Sequence, residues 1–242
     1  MNLLLFEEQE LRGDLLCLTG RRHRHLIEVL NVRQGDTVKI GQVNGRVGVG
    51  LVEKRSPAET ILSVAFTGKP KRQPDIGLIL ALPRPVMLQR ILKQATVLGV
   101  NHFYLVRSAR VEKSYFHSPV LQPERIRELL VEGLEQAMDT RLPTVELQHR
   151  FKPFIEDVLP RLRSPGVIAH PGVPARLPEV FPAAPGPLLL AVGPEGGWSD
   201  YEYHRFIAAG FSGCTMGQRI LHVDTAVVAL LAQVALLRDL RL

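Results

Sequence analysis

The sequence predicts an α/β protein that carries a small β-rich unit at its amino end. Up to residue 69 the chain reads as short strands and turns around the hairpin signal Asn44-Gly45. From residue 75 onward strands alternate with helices, the pattern of a largely parallel sheet covered by helices. Late in the chain, Leu188-Leu189-Leu190-Ala191-Val192 shows neither alternation nor helical spacing, as expected of a strand buried on both faces. It runs straight into the bare turn Gly193-Pro194-Glu195-Gly196-Gly197.

Taken in order, the first apolar run, Leu3-Leu4-Leu5-Phe6, reads as a strand and has neither the basic leader nor the small-residue cleavage site of a signal peptide. Strands are expected next at 15–18, 37–40, 47–52 and 60–66, with one short helix at 22–30. A type I′ turn needs positive φ at both central positions, which Asn44 and Gly45 tolerate. The glycines at 45, 48 and 50 therefore belong to a hairpin and not to a dinucleotide loop. Residues 1–70 form a small β-barrel in this reading. Lys69-Pro70-Lys71-Arg72-Gln73-Pro74 mixes proline with basic residues and reads as an exposed linker.

Residues 71–242 make up the α/β domain. Its strands are expected at 75–82, 102–106, 144–147, 166–170, 187–192 and 212–216, and its helices at 85–98, 123–138, 152–162, 200–209 and 224–240. Gly99 and Gly210 follow two of these helices, where a left-handed residue ends a helix at least cost. Ser199, with Glu202 three residues on, forms a capping box for helix 200–209. Asp224 or Thr225 is the expected cap of the last helix. That helix is apolar nearly all round from 226 to 237, so it needs an enclosing layer or a second subunit, and a homodimer is expected.

Composition narrows the function classes. Of 242 residues 45% are apolar and 22% charged, which suits a globular chain with a sizeable core. A net charge of +6 points to an anionic partner, and nucleic acid suits it better than a membrane because no basic amphipathic helix is visible. The longest apolar run, 226–237, is broken by Gln233 and falls short of the ~20 residues that cross a bilayer, so a cytoplasmic protein is expected. Cys17 and Cys214 are isolated, which suggests neither a disulfide framework nor a zinc site, and no metal is expected. The dinucleotide signature after the first α/β strand and the phosphate-loop Gly-Lys-Ser/Thr are both missing.

Chemistry is expected at strand ends. Gly193, Gly196 and Gly197 can take positive φ and leave backbone amides uncovered. Strand 212–216 ends in a second such turn, Gly217-Gln218-Arg219-Ile220-Leu221-His222-Val223-Asp224-Thr225-Ala226, and strand 166–170 ends at Pro171-Gly172. Side by side, these ends would make one pocket of amides and carbonyls. His170 and His222 read as packed or hydrogen-bonded histidines. Basic residues recur in clusters: Arg21, Arg22 and Arg24; Lys69, Lys71 and Arg72; Arg84, Arg90 and Lys93; Arg107, Arg110 and Lys113.

The two loops resemble the signature loops of the knotted SPOUT methyltransferases, and most closely those of the RsmE family of 16S rRNA uridine-N3 methyltransferases. The carriers are Gly193-Pro194-Glu195-Gly196-Gly197 and Met216-Gly217-Gln218-Arg219-Ile220-Leu221-His222-Val223-Asp224-Thr225-Ala226. Leu92-Lys93-Gln94-Ala95-Thr96-Val97-Leu98-Gly99 and Glu132-Gly133-Leu134-Glu135-Gln136-Ala137 are similar to two helices of that family, and His25 to Leu30 with Gly35-Asp36 to its PUA-like RNA-binding barrel. This chain departs at His222, Asp224 and Val97, where the family carries Arg, Glu and Glu. His222 in place of Arg exchanges a bidentate cation for a smaller, titratable group.

The resemblance implies S-adenosylmethionine held in a trefoil knot, and a methyl group passed to N3 of a uridine in 16S rRNA of the 30S subunit. It assigns the cofactor to Ala169 and His170, to Val192, Gly193, Gly196 and Gly197, and to Met216, Gly217, Ile220, Leu221 and Thr225. Uridine N3 must lose its proton before its lone pair can attack, so a base or a cation is required. The candidates are Glu195, as base or water-positioner, and Arg219, as stabiliser of uracil oxygen charge or phosphate anchor. The RNA is assigned to Arg21, Arg22, Arg24, Arg72, Arg84 and Lys93. Two rival readings are ribose 2′-O methylation by a related enzyme and a silent RNA-binding assembly factor.

Overall fold

The computed structural model describes residues 2–70 and 74–241, and the chain divides into two compact units. The first comprises Met1–Arg72 with Leu134–Leu142, and the second Gln73–Gly133 with Pro143–Leu242. Residues 134–142 thus join the amino-terminal unit, although the sequence places them in the α/β domain. Hydrogen bonds account for this: Asn2 N and Leu3 N donate to Glu135 O at 3.0 Å, and Asn44 N donates to Thr140 O at 2.7 Å.

In the first unit, β1 (Leu4–Phe6), β2 (Leu11–Arg12), β3 (Leu15–Leu18), β4 (Thr37–Gln42), β5 (Val47–Arg55) and β6 (Thr60–Gly68) form one sheet in the order β1-β4-β5-β6-β3-β2. Pairing is antiparallel except between β1 and β4. Leu4 and Phe6 at one end of that order share a core with Leu16 and Leu18 near the other, so the sheet curls around its apolar face. Leu26 and Val32 enter the same core from α1 (Gly20–Arg24), the π-helical turn His25–Val29 that continues it, and the loop beyond.

The hairpin differs from expectation in its turn. Gly45 N donates to Gln42 O at 2.8 Å, which centres the turn on Val43-Asn44, and of the expected pair Asn44 alone has positive φ, at 57°. Tertiary contacts decide this. Asn44 Oδ1 accepts from Leu142 N at 2.9 Å, and Thr140 Oγ1 donates to Gly45 O at 2.9 Å.

In the second unit, β7 (Ile76–Ala81), β8 (Val100–Val106), β9 (Thr144–Gln148), β10 (Gly166–Ala169), β11 (Leu188–Val192) and β12 (Phe211–Cys214) make a six-stranded sheet in the order β12-β10-β11-β7-β8-β9. Every pair is parallel, so all carboxyl ends face one edge. The chain runs outward from β7 through β8 to β9 and returns on the other side of β7. The reversal at β7 and β11 is the place where an open parallel sheet forms a ligand crevice. Both of these strands are buried throughout, as expected of strands covered on two faces.

The main helices are α2 (Pro85–Val97) and α3 (Pro123–Ala137), followed by α4 (Phe151–Pro153), a π-helical turn (Phe154–Val158) and α5 (Leu159–Leu162), and then α6 (Leu177–Val180), α7 (Asp200–Ala208) and α8 (Val223–Asp239). Gly99 and Gly210, at φ 88° and 89°, end α2 and α7 as expected. Within the single chain α8 is covered on one side only. One face, Val223, Ala226, Val227, Leu230, Leu231 and Val234, is buried, but Leu236 and Leu240 are 57% and 72% exposed. Within the described residues α2 and β11 are its principal partners, and a single layer covers only one side of a helix. No helix among the described residues is long and apolar enough to cross a membrane.

Candidate functional site

β12, β10 and β11 are consecutive in the sheet, with Ala169 beside Cys214 and Ile168 beside Ala191. Their loops therefore leave the carboxyl edge side by side, as the sequence suggests. Ala169 ends β10, and His170 N extends the pairing by donating to Cys214 O at 2.9 Å. The His170 ring lies 4.7 Å from that of Tyr203, and its Nδ1 accepts from Gly172 N at 3.1 Å. A packed, hydrogen-bonded histidine is the role read from the sequence.

The loop after β11 is tightly specified. Gly197 N donates to Pro194 O at 2.8 Å, and Gly197 takes φ 71°, the only positive value among the three glycines of the turn. Gly193 is needed for a different reason: a Cβ there would lie 2.9 Å from the backbone N of Trp198. Backbone cannot swing aside as a side chain can. Gly193→Ala should therefore displace the turn and weaken ligand binding at this loop by at least about tenfold, which calorimetric titration would detect. Unchanged affinity would show that the turn is not part of the site.

Several side chains hold this loop. Ser199 Oγ accepts from Glu202 N, and Glu202 Oε2 accepts from Ser199 N at 2.9 Å, which completes the expected capping box. Glu202 is 2% exposed, and its other oxygen accepts from Ala109 N at 2.7 Å, in the segment after β8. Arg110 in that segment donates to the carbonyls of Gly196 and Trp198. Trp198 is buried against Phe206, with ring centroids 5.1 Å apart. Glu195 Oε1 accepts from Arg84 N at 3.2 Å and lies 3.9 Å from Arg84 Nε, which ties the loop to the start of α2.

In the loop after β12, Gly217 takes φ 115°, and its N donates to Thr215 Oγ1 at 3.3 Å. Among the described residues, its chain neighbours apart, nothing lies within 4 Å of the place a Cβ would occupy on Gly217, so its backbone opens on free space. Arg219 is exposed and Ile220 is 82% exposed, an unusual state for a large apolar side chain in a specified loop. Met216 and Leu221 are half-buried. His222, and not Asp224 or Thr225, holds the N-cap position of α8, but its side chain is exposed and makes no capping bond, so it is not the packed or hydrogen-bonded histidine expected from the sequence. Asp224 is engaged elsewhere: Oδ2 meets Arg90 of α2 at 3.4 Å. Burial pushes the Cys214 thiol up to about 11, so it is no candidate nucleophile.

The basic candidates fall in different settings. Arg22 forms an ion pair with Glu10 and donates to Leu5 O at 3.0 Å, so it is part of the framework of its unit. Arg21 pairs with the buried Glu135 at 3.0 Å while its side chain stays half exposed. Arg24 and Arg84 are exposed, and Lys93 pairs with Glu132 at 3.3 Å. Arg72 lies outside the described residues. Among the described residues no cluster of acidic, histidine or cysteine side chains could hold a metal ion. Arg110 and Trp198 are absent from the sequence-derived site set. The signal for Arg110 was only its place in a basic cluster, because its contact with Gly196 spans 86 positions.

A family model described as an RNA methyltransferase domain matches residues 70–235. The chain is 31% identical over 246 residues to a protein of Treponema pallidum named ribosomal RNA small subunit methyltransferase E, covering 97% of this chain and 90% of that one. A protein of the same name from Synechocystis is 27% identical over 245 residues, with 96% and 76% covered. Among solved structures, a ribosomal RNA small subunit methyltransferase E from Neisseria gonorrhoeae bound to S-adenosyl methionine superposes with a TM-score of 0.80 at 21% identity, covering 98% of each chain. That likeness bears out the expected fold class, an α/β domain preceded by a small barrel-like unit. The chain belongs to the RNA methyltransferase family, and within it to the ribosomal RNA small subunit methyltransferase E proteins.

Proposed function

We propose that this chain transfers the methyl group of S-adenosylmethionine to N3 of a uridine in the 16S rRNA of the small ribosomal subunit. One observation carries the reading beyond family membership: three adjacent parallel strands deliver glycine-bearing loops to one edge of the sheet.

The local features fit such a donor. Gly217 faces open space and Ile220 is uncovered, so main chain and apolar surface are both available to a ligand. Ala169, His170, Val192, Gly193, Gly196, Gly197, Met216, Gly217, Ile220, Leu221 and Thr225 line the donor site in this reading. When bound, the donor supplies an electrophilic methyl on a sulfonium.

The protein's share of the chemistry falls to a few residues. The bond from N3 to the methyl forms as the bond from sulfur to the methyl breaks, and the N3 proton leaves to a base. Arg219, exposed in the loop after β12, is free to face a uracil oxygen and stabilise the negative charge that appears as that proton leaves. Glu195 takes the proton, directly or through a water, and its contact with Arg84 fixes where its carboxylate sits.

The assay is transfer of labelled methyl to 30S subunits that lack it, followed by primer extension. Methyl on N3 blocks the Watson–Crick edge and stops the polymerase. A product resistant to alkaline cleavage at the ribose would favour 2′-O transfer instead, and cofactor or RNA binding without transfer would favour a silent assembly factor.

Two finer points complete the proposal. Arg24, exposed on α1, contacts RNA phosphate, so Arg24→Glu should weaken RNA binding and lower the salt slope by about one while leaving cofactor affinity unchanged. An unaltered slope would remove Arg24 from the interface. The uncovered apolar residues Leu236 on α8 and Leu240 just beyond it support a homodimer, which light scattering tests directly.

A further inference from the structure

The loop 193–199 is held from outside by a residue that neither glycine motif contains. Arg110 Nη1 donates to the carbonyls of Gly196 and, at 3.5 Å, Trp198. Its aliphatic stem fills the space beside Gly196, with Cδ 3.2 Å from where a Cβ would stand. The segment bearing Arg110 is itself anchored, because Ala109 N donates to Glu202 at 2.7 Å and Glu202 caps the helix that the same loop opens.

These bonds fix whole peptide planes. In the plane joining 196 and 197, Arg110 holds the carbonyl while Pro194 O accepts from the Gly197 N–H at 2.8 Å. In the plane joining 198 and 199, Arg110 again holds the carbonyl while Glu202 Oε2 accepts from the Ser199 N–H at 2.9 Å. A plane held at both its carbonyl and its N–H cannot rotate. The Gly196–Gly197 and Trp198–Ser199 peptides are thereby each set in one orientation.

We propose that Arg110 is the positioning residue of the donor-facing loop, acting through the Gly196 and Trp198 carbonyls rather than as one of the cations that meet RNA. The proposal rests on the assignment of loop 193–199 to the methyl donor made above. One guanidinium nitrogen, Nη1, carries both bonds from a fixed plane, whereas the donors of an ammonium rotate about its stem. Nη1 is directed to the loop carbonyls, although Arg110 is itself an exposed residue.

The test uses full-length Arg110→Ala and Arg110→Lys. Trp198, the one tryptophan of the chain, reports S-adenosylmethionine binding by fluorescence from inside the loop. Steady-state kinetics give KM for the donor and kcat, and filter binding gives RNA affinity against salt. Arg110→Ala should raise Kd and KM for the donor by roughly tenfold to a hundredfold, as loss of charge-assisted bonds does, with an unchanged RNA salt slope. Arg110→Lys should restore part of the donor affinity, whereas Arg110→Met, which keeps the stem beside Gly196 without a donor, should not, contrary to what a purely steric role would require.

Donor affinity equal to wild type, with a salt slope lower by about one, would make Arg110 a phosphate contact and overturn the proposal. Equal affinity for both ligands would overturn it as well. If Arg110→Ala does not fold, Arg110→Lys reads the same two constants. A wild-type chain that binds no S-adenosylmethionine overturns the functional reading and this proposal with it, whereas normal wild-type binding matched by both variants overturns the proposal alone.

Discussion

Glu202→Ala is expected to cost the protein about 3–5 kcal/mol of stability, far more than a typical helix-cap substitution. Glu202 is 2% exposed and accepts from Ala109 N at 2.7 Å, Ser199 N at 2.9 Å and Ser199 Oγ at 2.9 Å. Truncation leaves these donors without a partner, and each buried orphan costs about 1–3 kcal/mol. Ser199 is only half-buried and Ala109 is exposed, so water can take up part of both losses, which places the total below a simple sum. Glu202→Gln keeps one acceptor oxygen and should fall between wild type and alanine. Urea unfolding at constant m-value measures the change, and a loss under about 1 kcal/mol would mean that the carboxylate is not the link drawn between the two segments.

The second large effect is catalytic. Arg219→Ala should lower turnover by about 10²- to 10³-fold, the usual result of deleting one group that stabilises developing charge. Arg219 is exposed in the loop after β12, so its removal should leave unfolding unchanged. Donor affinity should also hold, because the proposed role concerns the uracil and not the cofactor. Arg219→Lys should recover only part of the rate, since an ammonium lacks the planar fork. Raising the pH should recover part of the rate in Arg219→Ala, because hydroxide removes the N3 proton without help from a cation. Turnover close to wild type would take Arg219 out of the chemistry, whereas lost RNA affinity with normal turnover at saturating RNA would make it an anchor.

Much of the local architecture could be read in the chain. The strand Leu188–Val192, its glycine turn and the Ser199–Glu202 box follow from rules that act within a few residues: burial pattern, φ freedom and side-chain reach. The glycine ends of α2 and α7 are equally local. Where two rules competed, local reasoning failed. Asp224 is a good capping residue, but Arg90 draws its carboxylate away and His222 takes the cap position. Asn44-Gly45 suits a two-residue turn, but bonds to residues 140 and 142 shift the turn by one position.

The sequence by itself determined the kind of site: two glycine loops of specific composition, which place the chain in its family and carry the expectation of main-chain binding. The tertiary structure alone decided how the site is assembled. It inserted β11 between β7 and β10, so that three loops separated in the chain meet at one edge. It also turned Arg110 from a member of a basic cluster into the brace of the loop at Gly196, and Arg22 into an internal partner of Glu10. The physical reason is the range of the forces involved. Propensity and capping act over about one helical turn, whereas strand order and the pairing of charges depend on which distant segments the packed core brings together.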